Sequence, residues 1–193
     1  MKVIQLHSEK QKGRKQLEAV LAKLSAGDRA TQGYVFAKYS PKMLGACRQY
    51  IRDMQYAEEI MLAGFLKVFT KIDSFTAKGN FEGWIRRIMI NECISFLRKK
   101  NRMHFVEDDA FFESIEEAEI DNTEKVSELQ RLVDGLREDY RVVFKLYVVE
   151  EYKHQEIAEM LGISENAAKI RYKRAKDQVQ AQYEVLISNK GIS

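Results

Sequence analysis

A chain of 193 residues has room for one or two domains, and 45% apolar residues suffice for small cores. A single proline and few alternating apolar–polar runs argue against β-architecture, and no run approaches the ~20 apolar residues of a membrane span. The net charge of +3 hides a segregation: residues 1–29 carry seven cations and three acids, 86–104 six and one, and 105–129 one lysine against ten acids.

In chain order, residues 1–27 form a basic extension that begins polar and cationic, with no apolar run, which predicts no signal peptide. Leu17, Val20, Leu21 and Leu24 fall near helical spacing, as expected of a loosely docked surface helix. A long helix is predicted from Thr31 toward Tyr50, with Tyr34, Val35, Tyr39, Met43, Leu44 and Cys47 facing a core. Pro41 should kink or divide it, because proline lacks the N–H and crowds the preceding turn. A second helix covers residues 57–72, with Ile60, Phe65, Val68, Phe69 and Ile72 inward. Ser74–Asn80 is turn-rich, and a third helix starts at Phe81.

That third helix, FEGWIRRIMINECISFLRKKNR, interleaves Phe81, Trp84 and Phe96 with Arg86, Arg87, Arg98, Lys99, Lys100 and Arg102, and carries Asn91. Aromatic rings with a cationic track suit unpaired bases and their phosphates. Phe81 and Trp84 could equally anchor a core at a helix start. Residues 105–128 then read as an acidic linker. One or two helices follow over 129–150, with Leu132, Leu136, Val143, Phe144 and Tyr147 as core candidates.

The segment Tyr152–Val179 reads as two helices around a Gly-Ile-Ser turn. Ile157, Ala158 and Leu161 give the first an apolar face, Gly162 stands where a left-handed residue ends a helix, and Ser164 suits the next N-cap. In the second, Ala168, Tyr172, Ala175 and Val179 line one face and leave Lys169, Arg171, Lys173, Arg174 and Lys176 elsewhere. A basic helix braced by a partner fits a major groove; a solvated cationic helix in a plain bundle is the alternative. The expected fold is all-α: two small helical domains, 28–104 and 129–187, an acidic linker between them, and a tail at 188–193.

Cys47, Cys93, His7, His104 and His154 show no metal-ligand spacing, so the cysteines are expected to be reduced structural thiols of a cytosolic protein. No nucleophile–base arrangement, phosphate-cradling loop or paired-carboxylate site is legible. The expectation is no catalysis, no metal, no cofactor and no small-molecule substrate.

The aromatic–basic block and the later HQEIAEMLGISENAAKIRYKRAK, in this order across an acidic linker, resemble the two conserved domains of bacterial sigma factors. The size resembles the extracytoplasmic-function group of the sigma-70 family, and YAEEIMLAGFLKVF at 56–69 resembles that family's polymerase-docking helix. The resemblance implies a non-enzymatic, cytoplasmic protein that binds core RNA polymerase at its β′ clamp and β flap and opens promoter DNA, without inserting in a membrane. Polymerase contact would fall on Glu58, Glu59, Leu62 and Phe65. Minus-ten reading and melting would fall on Ser74, Phe75, Lys78, Asn80, Phe81, Trp84, Arg86, Arg87, Asn91, Arg98 and Lys99. Minus-thirty-five reading would fall on Ser164, Glu165, Asn166, Lys169, Arg171, Lys173 and Arg174. The linker would thread the polymerase's RNA channel, and an anti-sigma factor would be a further partner.

Four positions depart from the family pattern: Leu62-Ala63 stands for a common Gln-Glu pair, Ser95 for a frequent aspartate, and Arg137 for a proline that often opens the last domain. A dimeric helix-turn-helix regulator is the competing reading; it would need a self-complementary interface and would leave the aromatic–basic block without a role. A nucleic acid enzyme is the third.

Overall fold

The computed structural model describes residues 16–76, 79–100 and 128–189. The acidic linker expected at 105–128 lies almost wholly outside these, as do Lys78 and Arg102. All the described elements are helical. α1 covers 16–25, α2 Arg29–Arg48, α3 Met54–Thr70, α4 Phe81–Lys100, α5 Glu128–Asp134, α6 Glu138–Val148, α7 His154–Leu161 and α8 Glu165–Asn189. A 3-10 turn, Ile72–Ser74, follows α3. The chain divides into two compact units, Met1–Phe96 and Leu97–Ser193, with the division inside α4.

In the first unit, carboxylates start two helices. Asp28 accepts the Thr31 N–H at 2.8 Å and Asp53 the Tyr56 N–H at 3.0 Å, so each satisfies a donor left over by the first helical turn. The hydrogen bonds from Thr31 hold the Asp28 carboxyl below its usual pKa. α2 runs unbroken through Pro41, against the expected division. Pro41 and Ala37 are both exposed, so the carbonyl deprived of its partner sits on the wet side of the helix.

Val35, Met43 and Cys47 meet Phe65 and Val68 of α3 and Ile85, Met89, Ile90 and Cys93 of α4 in a core where none is more than 2% exposed. Tyr34, expected in that core, lies beside the stripe and is 58% exposed. Phe36 takes an inward place instead, edge-on to Phe65 with centroids 4.9 Å apart. Gly64 is where α3 and α4 close: a Cβ there would collide with Met89 Sδ. Cys47 and Cys93, distant in sequence, are hydrogen-bonded neighbours with free, buried thiols, and that bond together with burial keeps Cys93 protonated. The N-terminal helix is better docked than its sequence suggested. Leu24 is 2% exposed, and Ser25 Oγ donates to Asp73 at 2.6 Å.

In the second unit, α8 packs along α5, α6 and α7. Val133, Leu136, Ala175 and Val179 form one buried cluster, with Leu132, Tyr140 and Phe144 against it. Two cations are buried as well: Arg141 and Lys145 are each 3% exposed. Lys145 Nζ pairs with Asp134 at 2.8 Å, Gln130 donates to both oxygens of the same carboxylate at 3.1 Å, and Arg141 reaches the Asp134 carbonyl at 3.5 Å. Asp134 is thereby the knot that ties α5 to α6. Tyr147, expected in the core, is 37% exposed because it lies one position past the buried Val142–Val143–Leu146 stripe.

Candidate nucleic-acid interfaces

In the first unit the site grows from the start of α4. Asn80 accepts the Glu82 N–H at 3.0 Å through its side-chain oxygen and caps the helix, which leaves its amide N–H groups unused by the cap. Phe75, Phe81 and Trp84 form one aromatic cluster, with centroids 5.2 to 5.9 Å apart. Phe81 is its buried member at 5% exposure, also edge-on to Tyr39, so its ring belongs to the core. Phe75 and Trp84 are half-buried and present ring surface. Along α4, Arg87, Asn91, Arg98 and Lys99 are exposed and Arg86 half-buried; Ser74 is exposed ahead of the turn.

α3 presents a different face. Glu58, Glu59, Leu62, Ala63 and Leu66 are exposed, with Leu62 at 53% and Leu66 at 64%. Their spacing places an apolar pair beside an acidic pair on one helix side. Phe65, inward by its spacing and a polymerase contact only by the family resemblance, is 2% exposed and packs on Phe36 and Phe69 at 4.9 and 6.0 Å, so it supports the face from beneath. Leu66 was missed, although it stands one turn after Leu62.

In the second unit, Gly162 ends α7 with φ +70°, the left-handed conformation that glycine adopts without a Cβ clash, and its N–H reaches the Ala158 carbonyl at 2.8 Å. Two residues on, Ser164 Oγ accepts the Ala167 N–H at 3.1 Å and starts α8. At the other end of α7, Glu156 reaches back to accept the Lys153 N–H at 2.8 Å. The buried stripe of α8 is as its spacing predicted: Ala168 and Ala175 are fully buried, Val179 is 7% exposed and Tyr172 half-buried.

Glu165, Asn166, Lys169, Lys173 and Arg174 are exposed on α8. Lys169 pairs with Glu165 at 2.6 Å, which holds the Glu165 carboxyl below its ordinary pKa. Arg171 departs from the expected set. Its side chain is 16% exposed and its Nε lies 3.3 Å from Asp139 Oδ2, so it is aimed into the α6 contact. The signal was present, since Arg171 stands three residues after Ala168 and four before Ala175, on the buried stripe. Ile170, at 42% exposure, is the reverse case: an apolar residue out of phase with that stripe, placed between Lys169 and Lys173.

At the head of α7, His154 stacks on Tyr147, with centroids 4.4 Å apart and planes at 8°, and Tyr172 closes the group at 4.3 Å from Tyr147. Burial first and the Lys169 cation second push the imidazole pKa below its ordinary value, while Glu165 works the other way. Among the described residues no group of His, Cys, Asp and Glu is placed to hold a metal, and no helix is long and apolar enough to cross a membrane.

A helix-turn-helix unit with a basic second helix, joined in one chain to a helical unit bearing an aromatic and basic helix, defines a class of all-α DNA-binding proteins. Comparison with known families makes the class specific. Residues 35–103 match sigma-70 region 2 and residues 127–179 match sigma-70 region 4. The chain belongs to the sigma-70 family, as a member of its extracytoplasmic-function group, and is a sigma factor that directs promoter-specific transcription initiation. The family consists of non-catalytic polymerase subunits.

Among curated proteins, the chain is 23% identical over 175 residues to the ECF RNA polymerase sigma factor SigW of Bacillus subtilis, covering 84% of this chain and 94% of that one. It is 22% identical over 184 residues to the ECF RNA polymerase sigma-E factor of Haemophilus influenzae, covering 88% and 96%. Among solved structures, the sigma factor RpoE in complex with the anti-sigma factor NepR from Bartonella quintana is 21% identical, with a TM-score of 0.47, covering 79% of this chain and 96% of that one.

Proposed function

We propose that the two units are separate reading heads, the first for the melted minus-ten element and the second for the duplex minus-thirty-five element, and that the chain has no catalytic step of its own. The observation that carries this is the pairing of surfaces. Half-buried rings and exposed cations on α4 suit unstacked bases and their phosphates, while the exposed polar side chains of α8 suit base edges in an intact groove.

In the minus-ten head, Ser74, Phe75 and Asn80 meet the flipped base with Lys78 as a further contact from the same loop, Trp84 offers a ring face, and Arg86, Arg87 and Asn91 follow the strand, continued along α4 by Arg98 and Lys99. Phe81 holds the platform from the core. In the second unit, Ser164, Glu165, Asn166, Lys169, Lys173 and Arg174 face the DNA, and Ile170 supplies an apolar contact for a thymine methyl.

Core polymerase is the principal partner. The acidic and apolar face of α3, Glu58, Glu59, Leu62 and Leu66, suits the β′ clamp. The exposed Tyr147, Val148 and Val149 at the end of α6 suit the β flap. Residues 28–104 act as the polymerase-docking and melting domain and 129–187 as the upstream-reading domain. An anti-sigma factor is a further partner that follows from family membership, and the cytoplasm is where the template is.

Permanganate footprinting of the promoter bubble tests the division of labour. Changing Asn80 or Phe75 to Ala should leave the holoenzyme assembled and remove reactive thymines near the start site. An intact bubble in both variants sinks the assignment of the first unit.

A further inference from the structure

The two side chains that follow Arg137–Glu138 at the start of α6 lie against the basic side chains of α8, and nothing in the family reading gives them a task. Asp139 accepts two hydrogen bonds from Arg137, from Nε at 2.6 Å and from Nη2 at 2.7 Å, and it lies 3.3 Å from Arg171 Nε. Tyr140 is half-buried against the Val133–Leu136–Ala175–Val179 cluster, which restricts its ring. The Arg137 guanidinium covers that ring at 4.3 Å, and the hydroxyl accepts from Arg174 Nη1 at 3.3 Å. Arg137 stands where the family often has proline, so the cation that braces both acceptors is a feature of this chain.

We propose that Asp139 and Tyr140 are positioning residues for promoter reading: Asp139 fixes the rotation of α8 through Arg171, and Tyr140 pre-aims the Arg174 guanidinium toward the groove. An arginine held in one geometry before contact loses less freedom on binding, and a fork aimed at one base edge discriminates better than a free one. The inference rests on the reading of α8 as the minus-thirty-five helix.

The test is a double-mutant cycle in reconstituted holoenzyme, using full-length chain. Transcription is measured from a promoter recovered by run-off selection and from the same promoter with its upstream element scrambled. The readout is the ratio between the two. Tyr140→Phe keeps the ring, its packing and the Arg137 stack while removing the acceptor. It should lower the ratio about threefold to tenfold and have no further effect in an Arg174→Ala background, because contacting residues couple.

Asp139→Asn should lower the ratio by a similar factor, and Asp139→Glu should restore part of it. Equal losses from Tyr140→Phe with and without Arg174 indicate a general loss of fold and overturn the proposal. No loss from Tyr140→Phe while Arg174→Ala lowers the ratio also overturns it, with the reading of α8 intact. No loss from Arg174→Ala overturns that reading and the proposal with it.

Discussion

In the first unit the core under α4 is apolar, whereas in the second the core packed against α8 itself contains cations held by acids and carbonyls. The core beneath Arg87 and Asn91 is built from Ile85, Met89, Ile90 and Cys93, each fully buried. The core beside Lys169 and Arg174 contains buried Arg141 and Lys145 and a half-buried Arg171, each held by a carboxylate or a carbonyl on a neighbouring helix. Stability and recognition are therefore separable in the first unit, where surface charges can change without touching the core. They are coupled in the second, where several charges are structural. Such pairs stabilise little in themselves, but removing one partner from a buried charge costs far more than the pair contributes.

The largest expected effect tests that coupling. Asp134→Ala removes the carboxylate that Lys145 Nζ meets at 2.8 Å and should cost the second unit about 3 kcal/mol. Trp84, the one tryptophan, lies in the first unit, so urea unfolding seen by far-UV circular dichroism but not by tryptophan fluorescence reports the second. Replacing the pair together, Asp134→Leu with Lys145→Met, should recover most of the loss. A loss below about 1 kcal/mol for Asp134→Ala would mean the pair is effectively solvated and the contrast between units is wrong.

The matching prediction for the first unit is purely steric. Gly64→Ala drives a Cβ into Met89 Sδ between α3 and α4; the thioether is flexible but fully buried, so its displacement should cost about 1 kcal/mol, read as a lower urea midpoint by Trp84 fluorescence. Helix propensity alone would make the same change stabilising, so the sign decides.

A smaller effect in the opposite direction is expected at Glu151. Its φ of +58° puts a side chain in the left-handed region, in the turn between α6 and α7. Glu151→Gly should raise the stability of the second unit by about 0.5 to 1 kcal/mol, the relief of strain exceeding glycine's added freedom in the unfolded chain. Unchanged or lower stability would place the strain elsewhere.

The smallest effect concerns acid. His154 is held neutral by burial and by Lys169, so its pKa is lower in the fold than in the unfolded chain. The unfolded chain then binds more protons, and stability falls as pH drops through about 6.5, the ordinary imidazole value, toward the lower folded value. His154→Phe keeps the stack on Tyr147 and should flatten that slope in melting curves taken from pH 7.5 down to 5.5. An unchanged slope would assign the acid sensitivity to other groups.

These contrasts mark how far the sequence can be read. The turn from Gly162 to Ser164 and the stripe Ala168–Ala175–Val179 are local signals, and the structure has them where their spacing put them. The boundaries of α2 and α3 followed from apolar period to within a few residues. What failed was partner choice. Arg171 was placed among the DNA contacts by the family resemblance, yet it turns inward because Asp139, far upstream, is there to receive it. Phe65 lies in the core as its apolar spacing predicted, closed over by Phe36 and Phe69, so the family resemblance that also counted it among the polymerase contacts is met only from beneath the surface. Lys145 offers no hydropathy signal, and its burial depends on Asp134 arriving from another helix. Pro41 failed differently: the rule was right about the lost hydrogen bond, but the exposed side of α2 tolerates it.

The central claim is that this chain gives core polymerase a promoter preference through two heads with different tasks. Run-off transcription by purified core polymerase on genomic fragments, with and without the chain, tests it most directly. The account predicts new start sites that depend on the chain, each lost when either Arg87 and Asn91 or Lys169 and Arg174 are changed to Ala. No added start sites with the unaltered chain would contradict it.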